Sequence, residues 1–258
     1  MKIATWNVNS LAVRLPQVQA WLTEHQPDVL CLQETKLTDD KFPLDAWSEL
    51  GYQVGFHGQK TYNGVALISR TPAEALVKNI PGFDDPQARV ITATVGSVRV
   101  IGAYFPNGQA PDSDKFVYKM AWLQALRNFV AAELTQHPRL VLVGDYNIAP
   151  EDRDVHDPVA WAGQIHCTPQ ERAHFQGMVA LGLVDAFRLF DQAPKSWSWW
   201  DYRNLAFRKN QGLRIDHILV STALRPAVKA CFIDKLPRKN ERPSDHAPVV
   251  VDLDLGAV

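Results

Sequence analysis

The chain has 258 residues, 46% hydrophobic and 21% charged, with a formal net charge of −1. That balance suits a globular chain with a sizeable core and excludes a disordered or strongly basic one, so any contact with nucleic acid must come from a local basic patch. Cys31, Cys167 and Cys231 are widely spaced and odd in number, which excludes a disulfide framework or a zinc cluster and places Cys31, inside an apolar run, in the core. With no apolar run long enough to act as a signal or a span, a single domain over residues 1–258 and a cytoplasmic location are expected.

In chain order, residues 3–8 read as the first strand, rich in apolar residues and running into Asn7 and Asn9. Residues 14–25, after a turn at Ser10, have helical spacing. Residues 28–32 form a second apolar run that stops at Gln33-Glu34. Runs at 64–69, 90–95 and 98–105 read as further strands. Residues 113–135 carry Phe116, Met120, Leu123, Leu126, Phe129 and Val130 at helical spacing behind a cap at Ser113 or Asp114. The run 140–144 ends in Asp145-Tyr146-Asn147, and residues 169–181 open a helix with Pro169 behind a Thr168 cap. Residues 214–220 contain Ile215-Asp216-His217, and Ser244-Asp245-His246 precedes a last strand at 248–255. Many strands with a few long helices between them predict two packed sheets with helices outside.

The repeated feature is a polar residue where an apolar strand stops. Taken singly, each is ordinary turn chemistry. Asp216 is harder to dismiss, because a carboxylate within an apolar strand is costly unless paired. Alternation along a strand places Asp145 and Asn147 on one side, and Pro243 and Pro248 put Asp245 and His246 in a loop where both can converge. Several carboxylates with amides and one imidazole make a hard, oxygen-rich site, suited to Mg²⁺ or Mn²⁺ rather than zinc.

The motifs Trp6-Asn7-Val8-Asn9-Ser10, Leu32-Gln33-Glu34-Thr35-Lys36, Gly58-Gln59-Lys60, Gly64-Val65-Ala66, Tyr104-Phe105-Pro106-Asn107-Gly108, Gly144-Asp145-Tyr146-Asn147-Ile148-Ala149-Pro150, Trp199-Trp200-Asp201-Tyr202-Arg203, Gly212-Leu213-Arg214-Ile215-Asp216-His217 and Arg242-Pro243-Ser244-Asp245-His246-Ala247-Pro248 occur in one order along the chain. In that order they resemble the exonuclease III family of the endonuclease/exonuclease/phosphatase superfamily. The resemblance implies an α/β fold, a four-layer sandwich of two mixed sheets flanked by helices. It also implies a monomeric, metal-dependent DNA repair enzyme that hydrolyses phosphodiesters or phosphomonoesters at 3′ ends and nicks of duplex DNA, with incision at abasic sites in many members. By residue-wise carry-over, Glu34 is the principal metal ligand, with Asn7, Asp145, Asn147, Asp245 and His246 around it. Asp145 orients or deprotonates the attacking water, Asn147 holds it, His246 paired with Asp216 contacts the phosphate, and Tyr104 lies near the leaving group.

Substrate contacts are expected from Asn107, from Arg89, Lys115 and Tyr118, and from Trp199, Leu213 and Ile215 around a 3′-terminal sugar. Trp197, Trp200 and Tyr202 with Arg203, Arg208, Lys209 and Arg214 form a further aromatic and basic group, and Lys36 and Lys60 are open to either a solvated or a binding role. The segment Gln164-Ile165-His166-Cys167 places a bulky imidazole where many abasic endonucleases of the family carry a small residue. His166 is therefore expected to favour 3′-end processing over internal incision. Three alternatives stay open at this point: incision at abasic sites as the main activity, the same fold acting on a non-DNA phosphate ester, and an inert DNA-damage binding module.

Overall fold

A computed structural model describes residues 1–257. Strand β1 (Lys2–Asn7) is followed by α1 (Leu11–His25), β2 (Val29–Gln33), α2 (Asp45–Ser48), β3 (Gln53–His57), β4 (Val65–Ser69), β5 (Ala73–Lys78), β6 (Val90–Val95) and β7 (Val98–Tyr104). Then come α3 (Asp114–Gln136), β8 (Leu140–Asp145), α4 (Pro158–Trp161), α5 (Pro169–Ala180), β9 (Leu183–Asp185), β10 (Asp216–Ser221), β11 (Val228–Ile233) and β12 (Val249–Leu253). The strands form two six-stranded sheets, ordered β11-β12-β1-β2-β4-β3 and β5-β6-β7-β8-β10-β9. Both are mixed: β1–β2 and β7–β8 run parallel, and the other pairs are antiparallel.

The inner strands are apolar throughout because both faces are covered. Ile3, Val29 and Cys31 of the first sheet and Val141, Val143 and Ile218 of the second meet in the core between the sheets. Their neighbours Ala4, Trp6, Leu30 and Leu32 pack outward with Val18, Trp21 and Leu22 of α1. Leu140, Leu142 and Leu219 pack outward with Trp122, Leu126 and Phe129 of α3 and Phe175 and Met178 of α5. A period of two with both sets buried gives the helix/sheet/sheet/helix order, and each fully buried Val, Leu or Ile contributes about 1.5–3 kcal/mol.

Local signals set the helix starts. Ser113 Oγ accepts from the Phe116 amide at 3.2 Å, and Thr168 with Glu171 forms a reciprocal capping box ahead of Pro169. Helix α1 begins at Leu11, earlier than the spacing predicts, because Ser10 already turns the chain. Strands β3, β5, β9 and β11 are absent from the sequence reading, and each is an edge strand. The part-exposed pattern of β5 (Ala73–Lys78) shows why: one flank faces solvent, so no apolar run marks it. Among the described residues, no helix is long and apolar enough to cross a membrane.

Candidate functional site

The site lies where the two sheets present their polar ends side by side. Asn7 closes β1, and Glu34 follows β2. Tyr104 and Asp145 close the parallel pair β7–β8 in register with each other, and the antiparallel β10 brings Asp216 opposite Asp145. Gly144 has φ +152° and an added Cβ there would meet the Ala103 carbonyl oxygen at 1.8 Å, so the strands approach too closely for any other residue just before Asp145. Glu34 and Asn147 hold left-handed backbones at φ 52° and 49°, strain of the kind that concentrates at functional positions.

Asn7 joins the sheets. Its Nδ2 donates to Glu34 Oε1 at 2.8 Å and to Asp145 Oδ2 at 2.9 Å. The Asn147 amide donates to Asp145 Oδ1 at 2.9 Å, and Asn147 Nδ2 donates to the Phe105 carbonyl at 3.0 Å. The Asn147 side chain reaches Asp145 because a left-handed turn folds it back, not because the strand continues. Asn107 Nδ2 donates to Asn147 Oδ1 at 3.3 Å. His246 Nδ1 donates to Asp216 at 2.9 and 3.1 Å, and its Nε2 lies 3.7 Å from Asp145 Oδ2. Asp245 stands to one side, accepting from Asn9 Nδ2 at 3.0 Å and from the Trp199 indole at 2.9 Å.

Burial alone would lower the His246 pKa, but Asp216, Asp145 and Asp245 outweigh it and raise it to about 10. The imidazole is therefore a cation with N–H groups to offer. Burial raises the Asp145 carboxyl to about 7, the range in which a carboxylate takes up a proton readily. Burial, then the Glu34 and Asp145 carboxylates, push the Tyr104 phenol well above its usual value and keep it a donor.

The donors suit a hard divalent cation. Ligand atoms of Glu34, Asp145 and His246 lie within 4.8 Å of one another; the two carboxylates supply the oxygen such an ion prefers, and His246 would join them only when neutral. Glu34 remains partly open, with Lys36 Nζ 3.0 Å from its Oε2, so Lys36 pairs at the site rather than standing free in solvent.

Around this centre, Leu213 and Ile215 are buried with Ala149, Val155 and Cys167, and half-buried Trp199 and Trp161 pack on them. Backbone bridges tie Trp199 to both Leu213 and His246, so this apolar cluster adjoins the His246 side of the centre. On the other flank, Arg89, Lys115, Tyr118 and Asn107 line a cavity of about 520 Å³ that Tyr104 also borders. The Arg89 guanidinium stacks 4.9 Å from the Tyr104 ring centre. His166 is not a surface residue: it is 6% exposed, at φ 74°, with Nδ1 donating to the Asn147 carbonyl at 2.8 Å. Burial and then Lys119 lower its pKa to about 4, leaving the ring neutral.

One expectation is corrected. Arg214 is 2% exposed, with Nε 2.7 Å from Asp154 and Nη2 2.8 Å from Asp185, and cannot reach a phosphate. Trp197 and Trp200 are likewise core, whereas Tyr202 is exposed and donates to the Pro243 carbonyl at 2.8 Å. The sequence reading missed Asn9 as the partner of Asp245, Trp161 beside the apolar cluster, and the buried pair Lys119–Glu171. Both carried a local sign: Lys119 stands three residues after Phe116 and four before Leu123, on the apolar stripe of α3, and Glu171 follows the Thr168 cap by three.

The model of the endonuclease/exonuclease/phosphatase family matches residues 4–246. Exodeoxyribonuclease III from Haemophilus influenzae is 37% identical over 96% of this chain and 98% of its own length. Among solved structures, the 3′ phosphatase NExo from Neisseria bound to product DNA hairpin is 51% identical, with TM-score 0.97 over 98% of this chain and 99% of that one. An AP endonuclease from Archaeoglobus fulgidus is 36% identical, with TM-score 0.95 over 99% of this chain and 100% of that one.

Proposed function

Because the chain belongs to the endonuclease/exonuclease/phosphatase family, we propose that it is a metal-dependent DNA repair hydrolase of exonuclease III type, acting chiefly at 3′ ends and nicks of duplex DNA as a phosphatase, phosphodiesterase and 3′–5′ exonuclease. It does so as one domain and as a monomer. The observation that carries this reading is the setting of Asp145: a buried carboxylate aimed by Asn7 and Asn147, with the partly open Glu34 beside it and the Asp216-paired His246 behind.

Glu34, with Asp145 and Asn7 beside it, would hold a Mg²⁺ or Mn²⁺ ion, which when bound supplies positive charge to the phosphate oxygens. Asp145 accepts the proton of the attacking water. Asn147 fixes that water or a phosphate oxygen by its side-chain amide. The His246 imidazolium donates to a non-bridging oxygen, and Asp216 keeps it charged and oriented. Tyr104 donates from its phenol toward the same phosphate, with Asn107 alongside. The apolar cluster of Leu213, Ile215 and Trp199 receives the terminal sugar, and Arg89 and Lys115 line the path of the strand.

His166 supports the preference for ends. Its neutral ring is pinned to the Asn147 carbonyl and packs near Trp161, with ring centres 6.2 Å apart. On this reading the ring forms a wall beside Asn147 that admits an end and turns away a continuous strand. The relative named a 3′ phosphatase is more similar to this chain than the AP endonuclease quoted above, in line with that preference. The complete polar set argues against an inert binding module.

The test is release of inorganic phosphate from a nicked duplex bearing a 3′-phosphate. Release that requires Mg²⁺ or Mn²⁺, stops with chelator and is lost in Asp145→Asn is expected. Release that persists with chelator, or an Asp145→Asn variant as active as the parent, contradicts the reading.

A further inference from the structure

Asn107, Asn147 and His166 stand on separate loops, and the latter two hold left-handed backbones that resist being fixed by local preference. Beneath them lies a sealed ion pair, Lys119 of α3 and Glu171 of α5, each with 0% side-chain exposure. Every donor of the ammonium is used: Nζ donates to the Asn107 carbonyl at 3.1 Å, the Asn147 carbonyl at 2.8 Å and Glu171 Oε1 at 2.5 Å. Glu171 Oε1 also accepts from the His166 amide at 3.1 Å, and Oε2 accepts from the Thr168 amide at 3.1 Å and hydroxyl at 2.7 Å.

Glu171 caps α5 through Thr168, but a capping box needs no buried lysine. A sealed ion pair is also a weak stabiliser, since desolvating two charges offsets most of their attraction. What this pair delivers is geometry. Lys119 holds the two carbonyls whose side chains meet at the site, and Glu171 holds the backbone of the wall residue. The Asn147 carbonyl receives both Lys119 and His166, so the water-holding side and the wall share one anchor.

We propose that Lys119 and Glu171 are positioning residues that set Asn147 and His166 together, coupling the rate of hydrolysis to the preference for 3′ ends. This rests on the function proposed above.

In Lys119→Met, kcat for 3′-phosphate release is expected to fall at least about 10-fold with KM changed less than about threefold, as for a misplaced catalytic group. The ratio of internal abasic incision to 3′-phosphate release is expected to rise. The double variant Lys119→Met/Glu171→Gln, which leaves no unpaired buried charge, should regain much of the lost thermal midpoint but not kcat. A single variant with a lower midpoint yet parental kcat and substrate ratio, or a double variant that regains midpoint and kcat together, overturns the inference. Amide exchange at His166, whose N–H is bonded to Glu171, separates the two readings. A parent inactive on the nicked duplex defeats the proposed function. Exchange at His166 and Asn147 unchanged in Lys119→Met defeats the positioning inference, whatever the parent's activity.

Discussion

Asp216 and His217 are neighbours on β10 that face opposite ways into two different buried charge clusters. Asp216 meets His246 and, across the register, Asp145. His217 takes a hydrogen bond from Arg214 at 3.0 Å through Nδ1 and gives one to the Ile148 carbonyl at 2.8 Å through Nε2, beside Asp154 and Asp185. The second cluster is balanced: Arg214 and Arg188 are matched to Asp154 and Asp185, and burial with the nearby arginine lowers His217 to about 4, so the ring stays neutral. The first is unbalanced, with carboxylates outnumbering the imidazolium and Glu34 open at its edge. The same residue types thus make a strut where every charge is paired and a centre where negative charge is left in excess for a cation to balance.

Substitutions that break one cluster should leave the property of the other intact. The largest effect on rate is expected for Asp145→Asn. It should lower kcat on a 3′-phosphate by about 10²–10⁴-fold or more, as loss of a general base does, with no loss of thermal midpoint because burial disfavours the charge being removed. A midpoint that falls with activity would make Asp145 a strut as well. Next in size, Arg214→Met leaves Asp185 without its cation and Asp154 with Arg188 alone, and is expected to cost about 3–5 kcal/mol in denaturant unfolding, as breaking a buried pair does. Purified folded variant should retain the metal dependence of the parent. Glu34→Gln, on the open edge, should weaken Mn²⁺ binding in calorimetry by more than about 10–100-fold, the cost of altering a group that only supports a ligand, while the fold is unaffected.

Acid separates the clusters more gently. Burial alone would raise the Asp154 carboxyl, but Arg214 and Arg188 outweigh it and hold it below the usual carboxylate range. Its stabilising contribution is therefore complete above the ordinary carboxylate pKa and lost as the pH falls through the lower folded value. Asp154→Asn, less stable than the parent at neutral pH, should lose less further stability on acidification. Parallel pH curves for the two proteins would remove Asp154 from the strut.

These roles were unevenly legible in the sequence. Inner strands such as β2 and β8 announce themselves because both faces are buried and the run stays apolar up to the terminal carboxylate. Edge strands such as β5 and β11 do not, since half their side chains meet water. Glu34, Asp145 and Asp216 could be found because each interrupts an apolar run. Arg214 was misread as a surface cation, for its partners Asp154 and Asp185 lie far away in the chain and only the fold brings them to it. Lys119 stood on the apolar stripe of α3 and Glu171 at the capping position behind Thr168, but only the fold shows that the two meet. His166 was singled out by its departure from the small residue of many abasic endonucleases, but its tether to Asn147 depends on a left-handed backbone that no composition reveals.

The central claim is that the unbalanced cluster works on ends because His166 walls it off from continuous strands. It is tested most directly by comparing, with one enzyme preparation and Mg²⁺, a nicked duplex carrying a 3′-phosphate and an intact duplex carrying an internal abasic analogue, for the parent and for His166→Gly. The parent should process the 3′-phosphate faster, and His166→Gly should shift the ratio toward internal incision by about 10-fold, roughly the size of one steric contact. Equal or faster incision of the abasic duplex by the parent, or a His166→Gly variant with an unchanged ratio, would contradict it.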